Sequence, residues 1–349
     1  MNSAPGGGEE RVQGTANDAA IGKLSAALLG YFEDRFLEVL VGAARTDEPV
    51  RRLPPVINRG NFARVSCIEK LVLDFIDASP SSSYRVTGGE GEGESGGPSC
   101  SEPHNITTAH TPARKPQVIS LGAGKDSLFF RLRDRGIAPA GGYLEVDFPA
   151  VSTWKATLVA RNPALSALAD DSYKLVAADL RDSAGLDDAL VAAGVDFAAP
   201  TILLAECVLV YMEPAESAAL LQWCASKFAD SLFAAYEMTS PHDAFGKMMM
   251  QNIQRMGCRL PGLEPYPTLP SQEERLRKAG WDSARATDML RVFQGFLDPA
   301  DVRRISKIEV LDEVEEWELI MRHYCLVLAA KGHDAVARLS QMPPLRRSR

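Results

Sequence analysis

Residues 117–131, QVISLGAGKDSLFFR, decide the fold. Val118, Ile119 and Leu121 make the apolar run of a buried strand. Gly122 and Gly124 follow as a turn where backbone can approach a ligand closely. Leu128, Phe129 and Leu132 resume at helical spacing, so the turn opens a helix whose positive N-terminal end faces whatever lies over the glycines. Strand, glycine turn and helix are the opening unit of a nucleotide-type α/β domain. The third glycine of the dinucleotide fingerprint is missing, because Ser127 stands three places after Gly124. By itself the turn fits a cofactor loop and an ordinary strand-to-helix connection equally well.

The rest of the chain narrows the choice. Its 349 residues leave room for one large or two modest domains. With 46% hydrophobic and 24% charged residues, it has the make-up of a soluble globular protein. A net charge of −8 argues against nucleic acid or a membrane surface as a general partner, so any anionic partner must meet a local basic pocket. No apolar stretch is long enough to span a bilayer, and MNSAPGGGEERVQG lacks the pattern of a secretory signal, so a cytoplasmic location is expected. The six cysteines are scattered without paired spacing and are expected as reduced, mostly buried thiols. Without a secretory route, the sequon at Asn105-Ile106-Thr107 reads as chance.

On the N-terminal side, residues 1–17 are Gly-rich and polar and are expected to be disordered. A helical section follows over 18–78, expected as a lid. Ile21, Leu24, Leu28, Phe32 and Phe36 predict one amphipathic face, and Lys23 lies off it. In VINRGNFARVSCIEKLVLDFID, Arg64 shares the stripe of Ile68, Leu71 and Phe75. A half-buried arginine needs an anionic partner, either an internal Asp or Glu or a ligand carboxylate. Residues 79–116 are low-complexity and read as a disordered insertion, too soft to make His104 and His110 a metal site.

On the C-terminal side, apolar strands alternate with helices over 117–331. Strands are expected at GYLEVDF (142–148), YKLVAAD (173–179), within PTILLAECVLVY (200–211), at SLFAAY (231–236), at 305–311 and at 324–329. Helices are expected near 151–161, 185–193, from Pro214, and at 273–278, 288–296 and 298–304. The tail 332–349 is basic and is expected to fray from Arg338. This alternation points to one α/β domain with a doubly wound, mostly parallel sheet, carrying N-terminal helices and insertions.

Ligands of such sheets bind beyond the carboxyl ends of the strands, and there successive strands end in Asp147, Asp179 and Glu206. Asp147 follows Gly124 by about 23 residues, close to the roughly 20 at which an acid reaches ribose hydroxyls. Asp179 can accept from an adenine amino group, and Glu206, interrupting an apolar run, needs a polar or cationic companion. Each has a plainer alternative: Glu145 as the ribose ligand with Asp147 a helix cap, or Asp179 simply paired with Arg181. Jointly they favour a nucleoside-type cofactor. A P-loop is excluded, because Gly124-Lys125 is followed by Asp126 and lacks a Gly-rich lead-in. A dinucleotide site would want the third glycine and a second mononucleotide half. S-adenosylmethionine, needing a relaxed GxG turn, two acids and an anion contact, fits best; no metal is implied.

INRGNFARV, ISLGAGKDSLFFRL, YLEVDFP, VAADLRD, LLAECVLVYM and LDEVEEWELIMRHYCLVLA together resemble leucine carboxyl methyltransferases. That family methylates the C-terminal leucine carboxylate of the type 2A protein phosphatase catalytic subunit. The similarity runs in order from about Gly14 to Lys331, apart from the Ser/Gly-rich insertion. It implies a class I S-adenosylmethionine-dependent methyltransferase fold, with the phosphatase tail as partner, regulation of holoenzyme assembly and a monomeric enzyme. By position it implies Lys23, Arg64, Gly122, Asp147, Asp179, Leu180 and Glu206 as the cofactor shell. Arg64 and Tyr211 are implied at the reacting end. Asp126-Ser127 and Asn61 depart from the family's usual Asp-Thr and aromatic residue.

A chain-terminal carboxyl, with a pKa of about 3.5, is already ionised at neutral pH and needs no general base. The site has to align it with the methyl group and exclude water. No catalytic His or Cys is required, so His242 and His323 are expected to be structural. Arg64, with Arg59 as a candidate beside it, would place the two carboxylates. Other readings are a different O-methyltransferase on this fold, a silent docking module, and an NAD-dependent oxidoreductase.

Overall fold

In the computed structural model, which describes residues 7–42, 52–78 and 114–342, seven strands form one sheet. They are β1 (Gln117–Leu121), β2 (Tyr143–Asp147), β3 (Tyr173–Ala177), β4 (Thr201–Glu206), β5 (Ser231–Met238), β6 (Ser283–Asp288) and β7 (Tyr324–Lys331). Their order is β3-β2-β1-β4-β5-β7-β6. The first five are parallel, and β7 enters antiparallel between β5 and β6. The chain reverses its direction of winding between β1 and β4, which opens a crevice at their carboxyl ends.

Period-two alternation divides the buried strands between two cores. Val118, Ile202 and Leu204 join one face, while Ile119, Leu203 and Ala205 join the other. Cover on both sides explains the near-continuous apolar runs. The first face is roofed by α1 (Gly7–Leu28), α2 (Leu37–Val41) and α3 (Pro55–Asp77), with Phe62, Ile68, Leu71 and Phe75 of α3 inside it. The N-terminal helices therefore share a core with the sheet. Among the described residues no helix is long and apolar enough to cross a membrane.

Several expectations need correction. The first helix begins at Gly7, not Asp18, so the disorder expected over 1–17 fails for residues 7–17. The amphipathic face ends early: Gly30, at φ +84°, stops the helix after Leu28, which is 53% exposed. The sixth strand is Ser283–Asp288 rather than 305–311. The sequence SARATD hides it, because only small Ala284 and Ala286 face the core. Ile305 instead closes the helix Pro299–Ile305, and Val310 is exposed. Residues 333–341 are helical, with Ala335 and Leu339 buried, so the tail does not fray at Arg338. Most of the 79–116 insertion, including His104, His110 and Cys100, lies outside the described residues, as do 1–6 and 343–349.

Candidate functional site

β1 delivers the chain to Gly122 and Gly124, both in the left-handed region with φ of +67° and +52°. A Cβ on Gly122 would stand 2.7 Å from Cγ2 of Val208, and one on Gly124 3.0 Å from the Cβ of Ala16 in α1. The turn is thus closed in from two sides, and only a residue without a side chain fits at Gly122. Gly122→Ala combines a backbone penalty of about 1–2 kcal/mol with that collision. We expect a lowered melting temperature and cofactor affinity reduced at least tenfold by calorimetry; an unchanged dissociation constant would place the ligand elsewhere.

The acids expected at the strand ends do share one rim. Asp147 ends β2, Glu206 ends β4, and Asp179 lies two residues past β3. Asp147 accepts from the Gly124 N–H through Oδ2 (2.7 Å) and from the Phe148 N–H through Oδ1 (2.8 Å). It stitches the glycine turn to the next strand and keeps lone pairs for further donors. Burial pushes its pKa up. Glu145, the alternative ribose ligand, is fully buried against Lys155 and does not reach the cavity. Asp179 is gripped by Arg181, with Nη2 at 2.6 Å and Nε at 2.9 Å, which is the plainer of its two readings; the same hydrogen bonds hold its pKa down. It nonetheless lines the cavity with Leu180.

Glu206 does not interrupt its strand but terminates it. Its Oε2 accepts from Arg64 Nε at 2.6 Å and from Lys23 Nζ at 3.2 Å. Arg64 therefore has the internal carboxylate as partner, and its guanidinium also lies 4.7 Å from the centre of the Tyr236 ring. Lys23 is 7% exposed and bridges Glu206 to Asp126 at 3.2 Å. Periodicity missed it because apolar spacing cannot distinguish a solvated lysine from one that faces two carboxylates 103 and 183 residues away. Burial disfavours the ionised forms of Asp126 and Glu206, yet the cations beside them hold both pKa values down. The cluster is charged, shared and closed over by α1 and α3.

These groups line a cavity of about 950 Å³, at the upper end of the roughly 300–1,000 Å³ typical of small-molecule sites. Gly122, Asp126, Asp147, Leu180 and Glu206 line it together with Tyr211, Met238, Ile253, Cys258, Ile320 and Tyr324, and of these Tyr211, Met238, Ile253 and Tyr324 pack in one apolar cluster. Tyr211 sits in the 3₁₀ turn Leu209–Tyr211 just past β4, and burial pushes its phenol up to about 12, so it stays protonated. Arg59 is not at the cavity; it lies 6.0 Å from the Trp317 ring. His323 is buried and bonded to Asp243 at 2.9 Å, and His242 is exposed. Cys67, Cys207, Cys224, Cys258 and Cys325 are not in disulfides.

Sequence reasoning did not select Asp126, Tyr236 or Lys155. Lys155 donates to the Asp126 carbonyl at 2.6 Å and pairs with Glu145, fixing the glycine turn from below. A lone lysine in a helix gives no local sign of this. The donor set fits S-adenosylmethionine: a glycine cradle, a carboxylate with open lone pairs for ribose hydroxyls, apolar Leu180 for the adenine plane, and two cations for the methionine carboxylate.

Comparison with known proteins agrees. Residues 105–225 match the leucine carboxyl methyltransferase family model. The chain is 34% identical to a leucine carboxyl methyltransferase 1 homolog of Arabidopsis thaliana, over 91% of this chain and 88% of that one. It is 36% identical to leucine carboxyl methyltransferase 1 of Bos taurus, over 93% and 91%. It is also 36% identical to tRNA wybutosine-synthesizing protein 4 of Homo sapiens, over 92% of this chain but only 44% of that longer protein. Among solved structures, a putative methyltransferase from Thermobifida fusca superposes with a TM-score of 0.50 at 14% identity, over 91% and 94% of the two chains. That likeness establishes the class I methyltransferase-like α/β fold. Identity of about a third, sustained over nine-tenths of the chain, makes this protein a methyltransferase belonging to the leucine carboxyl methyltransferase family, whose methyl donor is S-adenosylmethionine.

Proposed function

We propose that this enzyme methyl-esterifies the C-terminal leucine α-carboxylate of the type 2A protein phosphatase catalytic subunit, and so regulates phosphatase holoenzyme assembly. One observation carries the reading. A single cavity is lined both by the acid rim and by apolar side chains, with Arg64 among its lining residues. The apolar part of the lining, which includes Met238, Ile253 and Ile320, suits an aliphatic side chain, while Arg64 suits the carboxylate attached to it. The same reading has the enzyme acting as a cytoplasmic monomer.

When bound, S-adenosylmethionine supplies an electrophilic sulfonium methyl. Asp147 would orient its ribose while holding the glycine turn in place. Lys23 and Arg64 would hold its methionine carboxylate, and Arg64 and Tyr211 would direct the incoming leucine carboxylate. That carboxylate is already ionised, so no residue need remove a proton. Arg64 of α3 lies over the Tyr236 ring of β5, and both line the cavity with residues of α1, a cover that excludes the water that would solvate the attacking oxygen.

The relative named for tRNA wybutosine synthesis makes RNA the competing substrate. A net charge of −8 weighs against it. Transfer of labelled methyl should mark the phosphatase catalytic subunit and leave a form lacking its terminal leucine unmarked. Label entering transfer RNA, with none in the phosphatase, would overturn the proposal.

A further inference from the structure

Immediately after Glu206 the chain enters an unfavourable conformation. Cys207 has φ +54°, in the left-handed region that side chains avoid, at a penalty of about 1–2 kcal/mol. Through this kink the chain leaves β4 and forms the turn Leu209–Tyr211, which carries Tyr211 into the cavity and sets Val208 against Gly122. Something must hold that geometry. The Cys207 N–H donates to the Tyr236 carbonyl at 2.7 Å. The next two N–H groups, of Val208 and Leu209, converge on Oε1 of Glu237 at 3.2 and 3.0 Å. Glu237 is wholly buried in β5, and its second oxygen has no hydrogen-bond partner among the described residues.

A carboxylate in that position would neutralise itself without a nearby cation. Arg275, on the helix Leu269–Lys278, supplies one. It is 3% exposed, none of its three guanidinium nitrogens has a hydrogen-bond partner among the described residues, and its charge acts on Glu237. Its plane lies 4.2 Å from the centre of the Tyr266 ring. The segment carrying Tyr266 also packs on the turn, for the Gly262 N–H donates to the Val210 carbonyl at 3.0 Å. Two buried, under-bonded charges are a poor way to stabilise a core. They make sense as a brace for a strained element.

We propose that Glu237, supported by Arg275, is a positioning residue for methyl transfer: it holds the Cys207–Tyr211 kink that sets the substrate end of the cavity. It touches neither substrate nor cofactor and acts through the turn. The inference rests on the carboxylate-methylation reading only for its kinetic arm. Burial pushes the Glu237 pKa up to about 7, with Arg275 opposing. The other titratable groups facing it are Cys325 from β7 and Cys207 and Tyr211 from the turn, all held neutral by raised pKa values. Protonation of Glu237 below about pH 7 weakens its grip on the two amides, whereas the substrate carboxyl remains ionised there.

Hydrogen exchange on E237Q tests this without any substrate. The Val208 and Leu209 amides should exchange at least tenfold faster, while the β1 and β4 amides keep their protection. In methyl transfer, kcat/KM for the phosphatase tail should fall at least fivefold, with the S-adenosylmethionine dissociation constant changed less than twofold. The parent's acid limb near pH 7 should vanish in E237Q. Should E237Q fail to fold, R275M serves in its place, moving that limb to higher pH. Unchanged exchange at Val208 and Leu209, an unmoved limb in R275M, or an equal loss of cofactor affinity would overturn the proposal. If the phosphatase proves not to be the substrate, the exchange result decides alone.

Discussion

Replacing Arg64 by alanine is expected to reduce methyl transfer at least tenfold while circular dichroism stays that of the parent. The guanidinium is the cation from α3 that reaches the cavity, 2.6 Å from Glu206 and over the Tyr236 ring. Its loss makes the reacting region one unit more negative just where an anionic carboxylate must enter. Two unit charges about 4 Å apart interact by roughly 4 kcal/mol at the effective dielectric of a protein surface, and tenfold corresponds to about 1.4 kcal/mol. A third of the Coulomb effect is therefore enough. The fold should survive, because α3 is held by Phe62, Ile68, Leu71 and Phe75, and because Glu206 keeps Lys23 as a partner. Arg64→Lys restores the charge without the fork and should recover only part of the rate. A folded Arg64→Ala enzyme working at the parent rate would remove Arg64 from the mechanism.

Arg64 also shows what the sequence could and could not disclose. Its place on the apolar stripe of α3 was legible, since a charge at a core position demands a partner. The partner was not, because Glu206 lies 142 residues away and only the fold brings them together. The parallel strands were legible for a similar reason. Burial on both faces writes β1, β4 and β5 as near-unbroken apolar runs, and the acids that close β2 and β4 stand out. β6 was not legible, because an edge strand facing the core with two alanines has little hydrophobic signal, whereas the isoleucines of 305–311 mimic a strand. The helical start at Gly7 was obscured by its glycines. Lys23, Asp126 and Glu237 share one difficulty: each is a polar residue whose meaning depends on a neighbour distant in sequence. The family resemblance supplied Lys23 where periodicity could not, and Glu237 lies just past the apolar run 231–236, in the end of β5 that the apolar pattern does not mark.

Glu206→Ala should weaken S-adenosylmethionine binding at least tenfold by titration calorimetry, and the sign of this effect needs argument. Removing a carboxylate frees Arg64 and Lys23, which taken alone would improve their hold on the cofactor's carboxylate. Two considerations outweigh that gain. The methyl donor carries an ammonium, a sulfonium and one carboxylate, so its net charge is +1, and deleting Glu206 leaves two buried cations facing it, of which Lys23 keeps Asp126 and Arg64 loses its carboxylate partner. Glu206 is also the oxygen on which α1 and α3 converge, since Lys23 and Arg64 both bond its Oε2. Without it the roof loses its common anchor and the cavity opens to water. The demethylated product lacks the sulfonium and is neutral overall, so its affinity should fall less than that of the donor. Equal losses for the two ligands would assign the effect to the roof alone, and unchanged binding of both would remove Glu206 from the cofactor site.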